Sequence, residues 1–215
     1  MIKNFKLKIK NSEAGITIIE IIVAIFLVSV FSLILIADFP EIQRNFALSG
    51  ISYKVAQDFR RAQDLGLSAV RLEDYNGDPI IVKGYGVYFD LNEFETKYAI
   101  YADVGGVNAG DEADQKYNGD LSSPLYCSNQ VVPVLEDCVI EIIDVSKDNK
   151  DLYIKDLENI GDPKVTSINF SPPLPIINIE NRYPSDSTEI IIVLGLKNGR
   201  DRGVLVNMSG LISVQ

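Results

Sequence analysis

Three groups of residues in this chain have types and spacings that could support chemistry: a pair of cysteines, a stretch crowded with carboxylates and amides, and one glutamate inside an apolar run. Cys127 and Cys138 are the only cysteines in the 215 residues. Oxidised, they would close a short loop and stabilise the surrounding fold by about 2–3 kcal/mol. Reduced, they would be two small buried thiols. Their spacing is not Cys-x-x-Cys, so redox catalysis is not indicated. Residues 103–120 hold Asp103, Asn108, Asp111, Glu112, Asp114, Asn118 and Asp120 among glycines. Hard oxygen ligands of this kind suit Ca²⁺. The spacing does not meet the EF-hand pattern, and a solvated acidic loop explains the same composition. No cofactor is otherwise indicated. The chain has no histidine, which removes the commonest general base, the usual Ser/His and Cys/His pairs and the commonest metal ligand. No carboxylate pair or Ser/Lys pair stands out from ordinary surface residues, so catalysis is not expected.

The third group is Glu20, and its meaning depends on the element that carries it. Residues 16–37 read ITIIEIIVAIFLVSVFSLILIA, with Glu20 as the only charge. At about 1.5 Å per residue this run crosses a hydrocarbon core of about 30 Å. Lys3, Lys6, Lys8 and Lys10 precede it and Asp38 follows, so the positive-inside rule places the N-terminus in the cytoplasm and residues beyond 38 outside the cytoplasmic membrane. A secretory signal is cut after its apolar stretch. Here the small pair Ala14 and Gly15 lies before the stretch, where a cut removes the lysines and keeps the helix. An uncut signal anchor is the simpler alternative, but it leaves a carboxylate costing about 2.5–3.5 kcal/mol without a partner. Cleavage after Gly15 would give Ile16 a positive α-amino group one helical turn from Glu20. That amine and a neighbouring copy's Glu20 could then pair in a low-dielectric interior.

Gly15-Ile16-Thr17-Ile18-Ile19-Glu20, between a lysine-rich leader and an unbroken apolar helix, resembles the class III signal of type IV prepilins. The resemblance implies cleavage between Gly15 and Ile16 by a membrane-embedded prepilin peptidase, N-methylation of Ile16, and a role for Glu20 in assembly with other pilin or pseudopilin subunits. The family usually has Phe where this chain has Ile16, a departure that bears on methylation more than on cleavage.

The same reading divides the chain into a leader (1–15), the transmembrane half of the N-terminal helix (16–37), its amphipathic half (38–72) and a β-rich extracytoplasmic head (73–215). Past Pro40 the apolar positions Ile51, Val55, Phe59, Ala62 and Ala69 share one face, while Lys54, Asp58, Arg60, Arg61 and Asp64 are polar. Gly66 and then Asn76-Gly77-Asp78-Pro79 mark where the helix must stop. Strands are predicted at 80–89, 98–102, 139–145, 165–170, 189–196, 204–207 and 211–214, with a hairpin at Asn198-Gly199 and a break at Ser209-Gly210. Pro172, Pro173 and Pro175 point to a sheet edge or a loop crossing. The expected class is α+β, a long helix packed on an antiparallel β-sheet head. Phe59-Arg60-Arg61-Ala62-Gln63, Gly86-Val87-Tyr88-Phe89 and a C-terminal strand around Gly210 further resemble GspH/FimT-type minor pseudopilins.

Twenty basic and 30 acidic residues, less four lysines and one glutamate in the leader, leave 16 and 29, net −13. Such a body is poorly suited to hold a polyanion, which makes nucleic acid a disfavoured partner. The expectation is a structural subunit of a type IV pilus or type II secretion pseudopilus. The competing readings are a filament-tip binding module for a surface, cargo or DNA, and an uncleaved membrane-anchored ectoenzyme.

Overall fold

A computed structural model describes residues 16–215 except 69, 74, 81, 105–114, 130–136, 148, 173–175 and 198. The leader, including Gly15, therefore lies outside the described residues, as do Ala69, Pro173, Pro175 and Asn198. The chain divides into two units, Met1–Gln43 and Arg44–Gln215. One helix, α1 (Ile18–Ser68), contributes to both.

In the first unit α1 starts at Ile18, two residues later than the apolar run begins. Its side chains from Ile18 through Ile36 are exposed, and the helix is long and apolar enough to cross a membrane. The hydroxyls of Ser29 and Ser32 each donate to the carbonyl four residues back, at 2.8 Å, so neither polar group needs water. Pro40 lies inside the helix, where it brings no backbone donor for the preceding turn.

In the second unit α1 packs against two antiparallel sheets. Strands are β1 (Leu72–Glu73), β2 (Pro79–Ile80), β3 (Val82–Asp90), β4 (Lys97–Val104), β5 (Cys138–Asp144), β6 (Leu152–Glu158), β7 (Val165–Ser171), β8 (Ile176–Ile179), β9 (Glu189–Leu196), β10 (Asp201–Asn207) and β11 (Ile212–Val214). The order is β5-β4-β3-β7-β8 in a five-stranded sheet and β11-β10-β9-β6 in a four-stranded one, with β1 and β2 as a separate hairpin. Leu48, Val55, Phe59 and Ala62 of α1 share a single core with Val87, Phe89, Ile100 and Phe170 of the larger sheet and Leu157, Ile192, Leu194 and Val204 of the smaller. The spacing of the helical residues puts them on one face.

The two sheets are buried differently. Strand β9 alternates buried and half-buried positions over most of its length, as a one-sided sheet should. Strands β3 and β4 are buried almost throughout, because residues 115–126 cover their far face: Tyr117 and Leu121 pack there with Tyr88, Ala99, Tyr101 and Val139.

Three expectations need correction. The helix ends at Ser68 and not at 72. At Gly66 the strand β7 comes so close that a Cβ would sit 2.4 Å from the Phe170 carbonyl oxygen, and Tyr85 Oη donates to the Val70 carbonyl at 2.6 Å just beyond the helix end. The head contains two main sheets instead of one. Strands β6 and β8 were not anticipated: Lys155, Asp156 and Glu158 obscure the apolar alternation of the first, and the prolines before the second mask it. Strand β8 is an edge strand, as the prolines required.

Candidate functional site

At the start of α1, Thr17 stands just before the first helical residue, and its Oγ1 accepts a hydrogen bond from the Glu20 backbone N–H at 3.3 Å. Thr17-x-x-Glu20 is thus a capping-box sequence, with Thr17 satisfying one of the free donors of the first turn. Glu20, the acid of that turn, also faces the positive end of the helix dipole. The sequence reading missed this local role, although Ser/Thr three residues before Glu was there to be seen. Glu20 and Ile16 are both exposed, so either is open to a partner.

Cys127 and Cys138 form a disulfide with their Cα atoms 4.9 Å apart. Cys127 opens a short 3-10 turn and Cys138 opens β5, and both are buried with Ile80, Tyr85, Ala102 and Val104. The bridge therefore lies under the β1–β2 hairpin at one end of the larger sheet.

The acidic stretch is described only in part, since residues 105–114, with Asn108, Asp111, Glu112 and Asp114, lie outside the described residues. Its described members act structurally. Asp103 accepts from Asn169 Nδ2 at 3.1 Å in the buried face of the sheet, and the same amide contacts Tyr101 Oη at 3.3 Å. Asp120 caps its own turn through Ser122, whose hydrogen bonds hold the carboxyl below its usual range. Asp137, outside the predicted stretch, accepts from the N–H groups of Val104 and Asn118 at 3.0 and 2.9 Å, tying the covering segment to β4. Among the described residues no group of three or more Asp, Glu or Cys side chains is arranged to hold a metal ion.

The helix residues of the second resemblance meet the C-terminal turn. Arg60 Nη2 donates to the Ile212 carbonyl at 3.3 Å. Gln63 Nε2 lies 2.9 Å from where a Cβ on Gly210 would stand, and Gly210 itself has φ +88°. Asn207 builds the turn, its Oδ1 accepting from the N–H groups of Ser209 and Leu211. Gly86 is equally constrained, with the Ile168 carbonyl oxygen 2.5 Å from an added Cβ. Arg61 pairs with Glu141 at 2.6 Å, half-exposed.

Beside Arg61 a surface groove of about 630 Å³ runs past Gln57, Asp58, Asp64 and Val70. Asp58 accepts from Tyr98 Oη there, and burial raises its carboxyl above the usual range despite that hydrogen bond. The groove mixes both signs of charge and holds no nucleophile paired with a base, so its geometry favours no particular reaction. No known family model, curated protein or solved structure matches the chain.

Proposed function

We propose that the chain is a pilin-like structural subunit of a type IV pilus or type II secretion pseudopilus, of the minor kind, and not an enzyme. Prepilin peptidase cuts between Gly15 and Ile16, Ile16 is N-methylated, and the mature chain is drawn from the cytoplasmic membrane into a filament. The head then lies on the extracytoplasmic side.

The observation that carries this reading is α1 itself. Its first part is an exposed apolar helix whose only charge between residues 16 and 37 is Glu20 in the first turn, and its last part is the core helix of a sheet-rich head. A membrane anchor alone requires no acid in its apolar run. A second feature supports packing between subunits. On the face of α1 opposite the core of the second unit, Phe46 and Tyr53 are 73% and 62% exposed, and between them Gly50 has open space where a side chain would be. Apolar surface of this kind on a helix fits a partner helix.

The test is the mass of the N-terminus in cells with active prepilin peptidase. A chain beginning at Ile16, with or without one added methyl group, is the expected result. A chain still beginning at Met1 would overturn the proposal in favour of an uncut anchor.

A further inference from the structure

We propose that the end of the sheet–helix layer around Arg200 and Arg202 is a docking surface for anionic phospholipid headgroups; this rests on reading residues 16–37 as membrane-spanning. In β10, Val204 and Val206 face the core. The two-residue period of a strand carries the same face back to Arg202, which pairs with Leu194, and to Arg200 just before the strand. Two guanidinium groups thus stand where the apolar layer under α1 runs out. With Asp201, with Asn45 and Leu48 of α1 and with Gln215 they line a groove of about 260 Å³. Lys197, exposed on the same turn, adds a third cation.

The neighbouring acids already have cationic partners. Asp201 lines the groove beside Arg200 and Arg202, and its carboxylate pairs with Lys155, whose ammonium it holds protonated above the usual range. Asp151 pairs with Arg44. Among the described residues neither Arg200 nor Arg202 makes an ion pair, in a body whose net charge is −13.

Chain length decides which anion is close. Asn45 in the groove lies eight residue steps beyond Ala37, the end of the apolar run. That is about 12 Å as helix and at most about 28 Å at full extension, an upper bound set by the chain itself on how far Asn45 can stand from the end of the apolar run. Guanidinium forks match phosphate oxygens in pairs. Each basic residue near an anionic bilayer favours contact by about fivefold, and the span already holds the lipid at high effective concentration. A nucleic acid fits less well, since it needs many phosphate contacts along a basic track and would meet the acidic remainder of the head.

The full chain in lipid nanodiscs provides the test, with phenylglyoxal modification of each arginine followed by mass spectrometry. Discs containing phosphatidylglycerol are compared with discs of phosphatidylcholine alone, and exposed Arg71 serves as the internal reference. The expected result is modification of Arg200 and Arg202 slowed about fivefold in the anionic discs, with Arg71 unchanged and the difference lost at high salt. Equal rates in the two discs, or equal slowing at Arg71, would overturn the docking surface while leaving the spanning helix intact. Failure of the chain to enter either disc would instead overturn the spanning helix, and the docking surface with it.

Discussion

Tyr98 Oη donates a 2.5 Å hydrogen bond to Asp58 Oδ2, joining β4 to the polar flank of α1. Tyr98 is buried against Phe89, with ring centroids 5.2 Å apart, so its hydroxyl reaches the carboxylate from within the core. Burial raises the Asp58 carboxyl above its unfolded value of 3.8, and the Tyr98 bond opposes that rise. The native state therefore binds more protons than the unfolded one just above pH 3.8. The contribution of Asp58 to stability is greatest below that value and declines as pH rises through the native one. Tyr98→Phe deepens the decline by removing the donor that favours the ionised form. Urea denaturation should show a loss of about 1–2 kcal/mol at neutral pH and a smaller loss in acid. An equal loss at both would mean that the Tyr98 bond does not depend on the carboxylate's charge.

The disulfide closes a segment of sequence separation 11. Chain-entropy arguments assign such a loop about 2–3 kcal/mol. Replacing both Cys127 and Cys138 by Ala should lower the unfolding free energy by that amount, and the denaturation midpoint with it, while leaving α1 helical by circular dichroism. An unchanged midpoint would show that packing with Tyr85 and Val104 alone holds that end of the sheet.

Five buried tyrosines make the head sensitive to alkali. Burial pushes Tyr85 and Tyr117 up to about 12 and Tyr88, Tyr98 and Tyr101 further still. Their contribution to stability is complete below pH 10, the unfolded value. It falls as pH rises above 10, because the unfolded chain releases protons that the native one retains. Tyrosinate absorbance from these residues should therefore rise together with the loss of β-sheet signal. A rise that precedes unfolding would contradict the burial.

Gly210 turns the chain from β10 into β11 with a left-handed φ, and its open side is filled by Gln63. Gly210→Ala should cost about 1–2 kcal/mol from backbone strain. If the Gln63 amide adds to that cost, Gln63→Ala in the same chain should recover part of it. The double variant matching the sum of the singles would show that Gln63 plays no part.

Glu20 now has two candidate roles, helix cap and charge partner, and Gln separates them. A capping box accepts Gln in place of Glu, so Glu20→Gln keeps the local geometry at Thr17 and removes only the charge. Normal processing with lost filament assembly is the expected outcome. Normal assembly by Glu20→Gln together with failure by Thr17→Val would assign the residue to capping.

Much of this protein is local in origin and was therefore readable from the chain. The apolar run, its single acid and the core-facing spacing of Ile51, Val55, Phe59 and Ala62 follow from composition and helical period, since each depends on neighbours within a few residues. Most strands were legible for the same reason, through β-branched and aromatic runs bounded by turns. The capping box at Thr17 was equally local and was simply overlooked. What only the tertiary structure decided depends on residues distant in sequence. The division into two sheets, the burial of β3 and β4 on both faces, and the end of α1 at Ser68 come from which segments pack together, and Phe170 is more than 100 residues from the Gly66 it approaches. No local pattern could place Asp58 under the Tyr98 hydroxyl, or leave Arg200 and Arg202 at the end of the layer, because a side chain's partner across a core is set by the packing of whole elements.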